Sequence, residues 1–123
     1  MIKANKLVNK NFLSSFDISS QEVHNILELA INFKNKVSNI KREGKVLGLI
    51  FDKSSTRTRV SFQVAMARLG GTTIDLNPTT SQIGRGEPIR DTARVLSRYC
   101  DVLAIRTFKQ SVLEEYAKWA TIP

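Results

Sequence analysis

Apolar positions recur along this chain with two alternating periods. Val23, Ile26, Leu27, Ala30 and Val37 fall on one helical face. Ser19 and Glu22 form an S-x-x-E capping box, with Ile18 and Val23 at the staple positions around it, and predict where that helix starts. It is expected to fade by Asn39. The run "KVLGLIFD" (45–52) suits a buried parallel strand. "TRVSFQVAMARLGG" (58–71) returns to helical spacing, with Phe62, Ala65, Met66 and Leu69 on one face and Gly70-Gly71 as the stop. "TTIDL" (72–76) is a β-branched strand. "NPTTSQIGRGEP" (77–88) is a turn-rich loop, long for a compact domain, and such loops are often functional. "IRDTARVLSRYC" (89–100) is a helix with Ile89, Ala93, Leu96 and Cys100 inward. "DVLAIRT" (101–107) is another strand, and a second S-x-x-E, Ser111 to Glu114, opens a helix through about Ala120. There is no internal repeat and no low-complexity segment.

Strand, helix, strand, helix, strand, helix predicts an α/β fold. It is a parallel sheet with helices on both faces, a three-layer αβα arrangement in which ligands sit at the carboxyl ends of the strands. The 123 residues read as one domain, 1–123, large enough to bury a core without disulfides or metals. A single cysteine, Cys100, excludes an intrachain disulfide framework and a Cys-rich metal site; its plainer reading is a small buried residue. No apolar run is long enough to span a membrane, and no signal-peptide core follows the N-terminus, so a cytoplasmic location without a membrane partner is expected.

Charge changes the picture. A formal net charge of +8 attracts polyanions or small anionic ligands. Lys3, Lys6 and Lys10 read as a solvated arm. Arg90, Arg94 and Arg98 recur every four positions and read as a solvated face, with Asp91 and Arg94 as an i,i+3 pair. Asp101 reads as closing a turn. Trp119 and Tyr116 read as packing residues. A basic nucleic-acid-binding module would use this charge, but no aromatic platform is interleaved with the basic residues and no such motif occurs; no nucleic-acid partner is expected.

The cations gather most tightly in "FDKSSTRTRVSF" (51–62), where Ser54, Ser55, Thr56 and Thr58 surround Arg57 and Arg59. This is poor core material. It lies where the strand ending near Asp52 turns into the next helix, and unpaired N–H groups at a helix start favour an anion. Hydroxyls add donors, and a guanidinium can grip two phosphate oxygens. Composition and position leave two readings open: Ser55 caps the helix while the arginines face solvent, or the turn holds phosphate. No GxxxxGK[ST] and no G-x-G-x-x-G occurs, so neither a P-loop nor a dinucleotide site has support.

"STRTR" followed by "SF", then "LGG", then "SQIGRGEPIRDTARVLSRYCDVLAIRT" (81–107) resembles the carbamoyl-phosphate-binding half of the aspartate and ornithine carbamoyltransferases. The resemblance covers nearly the whole chain. "FDKSSTRTR" looks like the ornithine type, because Ser54 stands where the aspartate type typically has proline, and "SQIGRGEP" looks like the ornithine-type loop. Asp52 stands where the family often has glutamate and Gln63 where it usually does; neither matches a family ligand.

The resemblance implies that Ser55, Thr56, Arg57 and Thr58 bind the phosphate of carbamoyl phosphate. It implies that Arg106 reaches the carbamoyl oxygen and that Gln82 enters the site of a neighbouring subunit in a homotrimer or a multiple of trimers. It implies catalytic roles for Arg57 and Arg106 and transfer of the carbamoyl group to the side-chain amine of ornithine, giving citrulline in arginine biosynthesis. Aspartate, putrescine or an acetylated ornithine are alternative acceptors. The family continues with a His-Pro-x-Gln segment and a second, amine-binding domain. Neither lies within residues 1–123, so turnover by these residues alone is not expected. No metal or organic cofactor is implied, and His24, the sole histidine, reads as remote from the site.

Overall fold

The computed structural model describes residues 7–79 and 81–123, with the backbone alone at 83 and 84. Lys3 and Lys6 of the expected arm lie outside the described residues. The chain divides into two compact units, residues 1–40 and 41–123.

The described part of the first unit holds a 3-10 turn, Ser15–Asp17, and helix α1, Ser20–Lys34. Both start on capping boxes. Asp17 Oδ2 accepts the N–H groups of Leu13 and Ser14 at 2.7 and 2.9 Å, and these bonds hold its carboxyl below the usual range. Lys10 donates to the Asp17 carbonyl. Ser19 Oγ accepts the Glu22 N–H at 3.2 Å while Glu22 Oε2 accepts the Ser19 N–H at 2.7 Å, so the predicted start is observed. The end is earlier than expected. Lys36 adopts φ +57°, and Val37 N–H and Lys36 N–H turn back to the carbonyls of Asn32 and Phe33 at 2.9 and 3.1 Å. This is a Schellman stop, so Val37 leaves the helical face assigned to it.

The second unit contains β1 (Val46–Phe51), α2 (Thr56–Leu69), β2 (Thr72–Leu76), a 3-10 turn (Gln82–Arg85), α3 (Ile89–Tyr99), β3 (Val102–Arg106) and α4 (Gln110–Trp119). The three strands are parallel in the order β2-β1-β3. β1 alternates between two cores. Leu47, Leu49 and Phe51 pack with Met66 and Leu69 of α2. Ile50 packs with Ala93, Leu96 and Cys100 of the α3 segment and with Tyr116 of α4. β3 splits the same way, Val102 and Ala104 toward α2, Leu103 and Ile105 toward α3 and α4. Helices therefore cover both faces of the sheet, as predicted.

Two glycines allow the tight α2–β2 return. Gly70 caps α2 at φ +85°, a left-handed conformation that side chains disfavour. A Cβ on Gly71 would lie 2.8 Å from the Lys45 carbonyl oxygen. At the same end of the strands, Asp101 accepts the Val46 N–H at 2.8 Å and pairs with Lys45 at 3.2 Å. It ties the start of β3 to the start of β1 rather than closing a turn.

Other expectations are corrected. α4 starts at Gln110 with Lys109 as N-cap and no side-chain cap, so Ser111 and Glu114 form no capping box. On α2, Met66 is buried, Ala65 is exposed, and Phe62 meets the Phe51 ring edge-on at 6.5 Å. Asp91 pairs with Arg90 at 3.3 Å, not with Arg94. The indole of Trp119 draws Arg94 away; its guanidinium lies 4.8 Å from the ring, with Lys118 at 5.0 Å and Arg90 at 6.0 Å.

Candidate functional site

The chain leaves β1 toward α2 on one face of the sheet and leaves β3 toward α4 on the other. Connectors that part in this way open a crevice at the carboxyl ends of two adjacent strands. Phe51 pairs with Arg106 as the last rung of β1 and β3, and the Asp52 N–H donates to the Arg106 carbonyl at 2.8 Å. The Asp52–Ser55 connector thus emerges directly beside Arg106.

Ser55 is the N-cap of α2, with φ −157° and ψ 87°, and its side chain makes no cap hydrogen bond. The first helical bond is Arg59 N–H to the Ser55 carbonyl at 3.2 Å. The N–H groups of Thr56, Arg57 and Thr58 precede it and meet no acceptor among the described residues. No acidic residue occupies this first turn. Unsatisfied N–H groups at a helix start act together as about half a positive charge. Ser55 thus holds the N-cap position without the side-chain bond that the capping reading called for.

Ser54, Ser55, Thr56, Arg57, Thr58 and Arg106 line one open pocket of about 530 Å³. Arg57 and Arg106 are exposed and make no ion pair among the described residues. The other arginine of the motif goes elsewhere. Arg59 Nε lies 3.3 Å from Asp75 Oδ2, a charge contact outside hydrogen-bond geometry, and its guanidinium lies 5.5 Å from the Phe51 ring centre. One arginine of "STRTR" faces the pocket, and the other fastens α2 to β2 and β1.

Gln82 is exposed on its 3-10 turn and is not among the pocket-lining residues. His24 is exposed on α1, in the first unit. Cys100 is buried, and burial, then the neighbouring Asp101 charge, pushes its thiol pKa up. Ser54 joins the lining although it was not among the predicted ligands; its place in the hydroxyl run was the available signal. Among the described residues no cluster of His, Cys, Asp or Glu could hold a metal ion, and no helix is long and apolar enough to cross a membrane.

At the carboxyl ends of the parallel strands stand a helix start with free N–H groups and two arginines that make no ion pair among the described residues, the arrangement of an α/β domain with an anion-suited crevice. Residues 10–123 match the family described as aspartate/ornithine carbamoyltransferase, carbamoyl-P binding domain, and the chain belongs to that family. It is similar to the ornithine carbamoyltransferase of Prochlorococcus marinus strain MIT 9312, with 78% identity over 100% of this chain and 40% of that relative. Among solved structures it resembles the ornithine carbamoyltransferase of Gloeobacter violaceus, at 54% identity and TM-score 0.80, over 91% of this chain and 36% of that one. It also resembles the enzyme of Pyrococcus furiosus, at 48% identity and TM-score 0.86, over 95% and 39%. The chain therefore spans about two fifths of the length of the relatives it matches.

Proposed function

We propose that this chain is the carbamoyl-phosphate-binding part of an ornithine carbamoyltransferase. The enzyme moves the carbamoyl group of carbamoyl phosphate to the side-chain amine of ornithine, giving citrulline and phosphate in cytoplasmic arginine biosynthesis. The observation that carries the reading is the convergence of Arg57 and Arg106 on one pocket at the start of α2. The names of the relatives support ornithine as the acceptor.

Phosphate sits against the N–H groups of Thr56, Arg57 and Thr58, the hydroxyls of Ser55, Thr56 and Thr58, and the Arg57 guanidinium. Arg106 faces the carbamoyl oxygen. When the amine attacks the carbonyl carbon, negative charge collects on that oxygen. The bond to the phosphate oxygen then breaks, phosphate leaves with the electron pair, and it takes up the proton that the amine sheds. Fixed cations beside a charge that grows stabilise the transition state more than the ground state. Displacement at a carbonyl already activated by phosphate calls for neither metal nor organic cofactor. The seat for ornithine belongs to a second domain, and Gln82 serves the site of a neighbour in a trimer.

The test is citrulline formation by the full-length enzyme, with aspartate, putrescine and acetylated ornithine as competing acceptors. Arg57→Ala and Arg106→Ala are each expected to cost about 100- to 1,000-fold in rate. Unchanged rates overturn the site; preference for another amine overturns the acceptor. Mixing Gln82→Ala with Arg106→Ala subunits should recover activity if sites are shared, and no recovery in any mixture counts against sharing.

A further inference from the structure

We infer that Phe108 is a positioning residue of the anion pocket and acts through Lys53. Lys53 lies in the β1–α2 connector, next to Ser54, which lines the pocket. Phe108 lies in the β3–α4 connector, just beyond Arg106. The Lys53 ammonium stands 4.6 Å from the centre of the Phe108 ring. Phe108 is 71% exposed in this chain, and its ring contact is the Lys53 ammonium. Lys53 makes no ion pair among the described residues.

The contact joins the same two connectors that the Asp52–Arg106 backbone bond joins at their base. One bond leaves the connectors free to splay about it; a second, farther out, fixes how Arg57 and Arg106 converge. The chemistry of this tie suits an anion site. A carboxylate at 108 would also hold Lys53, but it would cancel the ammonium charge and repel a phosphate. A ring holds the ammonium through its quadrupole and leaves the positive charge standing beside the pocket. The inference rests on the proposed phosphate seat.

The test is titration of the full chain with inorganic phosphate, followed by the backbone amide resonances of Thr56, Arg57 and Thr58. Phe108→Leu should weaken binding about two- to five-fold, the worth of an exposed cation–π contact, without lowering the thermal midpoint. Phe108→Tyr, which keeps the ring, should restore binding. Lys53→Met should weaken it at least as much, and adding Phe108→Leu to Lys53→Met should change nothing more. Unchanged binding in Phe108→Leu, or additive losses in the double variant, overturns the inference. Arg57→Ala separates the two claims. Loss of binding there with Phe108→Leu unaffected removes the positioning role alone, whereas unaffected binding in Arg57→Ala removes the phosphate seat and the inference together.

Discussion

The N–H of Asp52 donates to the carbonyl oxygen of Arg106 at 2.8 Å, one residue past the last rung between β1 and β3. The sheet itself therefore sets the spacing between Arg106 and the start of α2. Neither Arg57 nor Arg106 spends its charge on a carboxylate among the described residues. Cations that wait in place, unneutralised, need no reorganisation when an anion arrives.

Arg57 and Arg59 should separate function from stability. Arg57→Ala is expected to weaken phosphate or carbamoyl phosphate binding by about 1.5–3 kcal/mol, the scale of a charged hydrogen bond. Its unfolding midpoint should stay near that of the parent. Arg59→Ala breaks a part-exposed charge contact to Asp75 and should cost about 0.2–1 kcal/mol of stability. Anion titration and urea unfolding of both variants give the comparison; the reverse ranking would mean that the two roles are misassigned.

Ser55 offers a second separation. Replacing an N-cap serine that bonds the helix usually costs about 0.5–2 kcal/mol of stability. Here the side chain makes no such bond, so Ser55→Ala should leave the urea midpoint nearly unchanged and weaken anion binding instead. A normal capping loss with unchanged affinity would return Ser55 to a purely structural role.

These contrasts also mark what the sequence could say. The alternation of periods located every strand, the Ser19 capping box located α1, and Gly70 located the end of α2. Each is a local signal. The end of α1 carries no glycine to announce it; Lys36 takes the left-handed position. The Ser111 box is present in sequence but lies inside α4, whose start follows from β3 and from Tyr116 reaching the core. Arg57 and Arg59 look alike in sequence, yet two helical positions differ by about 200° around the axis. Only the placement of Asp75 on β2 decides which of them is tied down. The Lys53–Phe108 contact joins residues from different connectors, so no spacing rule reaches it.

Alkaline pH should destabilise the second unit through Tyr116. Burial foremost, then the charges of Asp52, Glu87 and Glu115, pushes its phenol from 10.0 up to about 12. A folded-state pKa above the unfolded one means stability that is complete below pH 10 and is lost as pH rises toward about 12. The loss is on the order of 2–3 kcal/mol, since each pKa unit is worth about 1.4 kcal/mol. Urea midpoints across that range, for the parent and Tyr116→Phe, check it. The phenylalanine variant should fall less steeply; parallel curves would show that Tyr116 ionises as freely in the folded chain as in the unfolded one.

The last expectation sets two glycines against each other. A Cβ on Gly48 would meet Leu103 Cδ2 at 2.7 Å and Cys100 Sγ at 3.1 Å. Both are side-chain atoms, and the Leu103 methyl can rotate away. A Cβ on Gly71 would meet Met66 Cε at 2.5 Å, which can also move, but the Lys45 carbonyl oxygen at 2.8 Å cannot. That oxygen accepts the Thr72 N–H at 2.9 Å, so displacing it loosens the first hydrogen bond between the β1 and β2 ends of the chain. Overpacking costs about 1–3 kcal/mol. Gly48→Ala should lie near the bottom of that range and be relieved by Leu103→Val. Gly71→Ala should lie near the top, with no relief from Met66→Leu. Denaturant unfolding of the four variants decides it: equal costs at the two glycines, or rescue of Gly71→Ala by trimming Met66, would show that the backbone contact is not what makes Gly71 necessary.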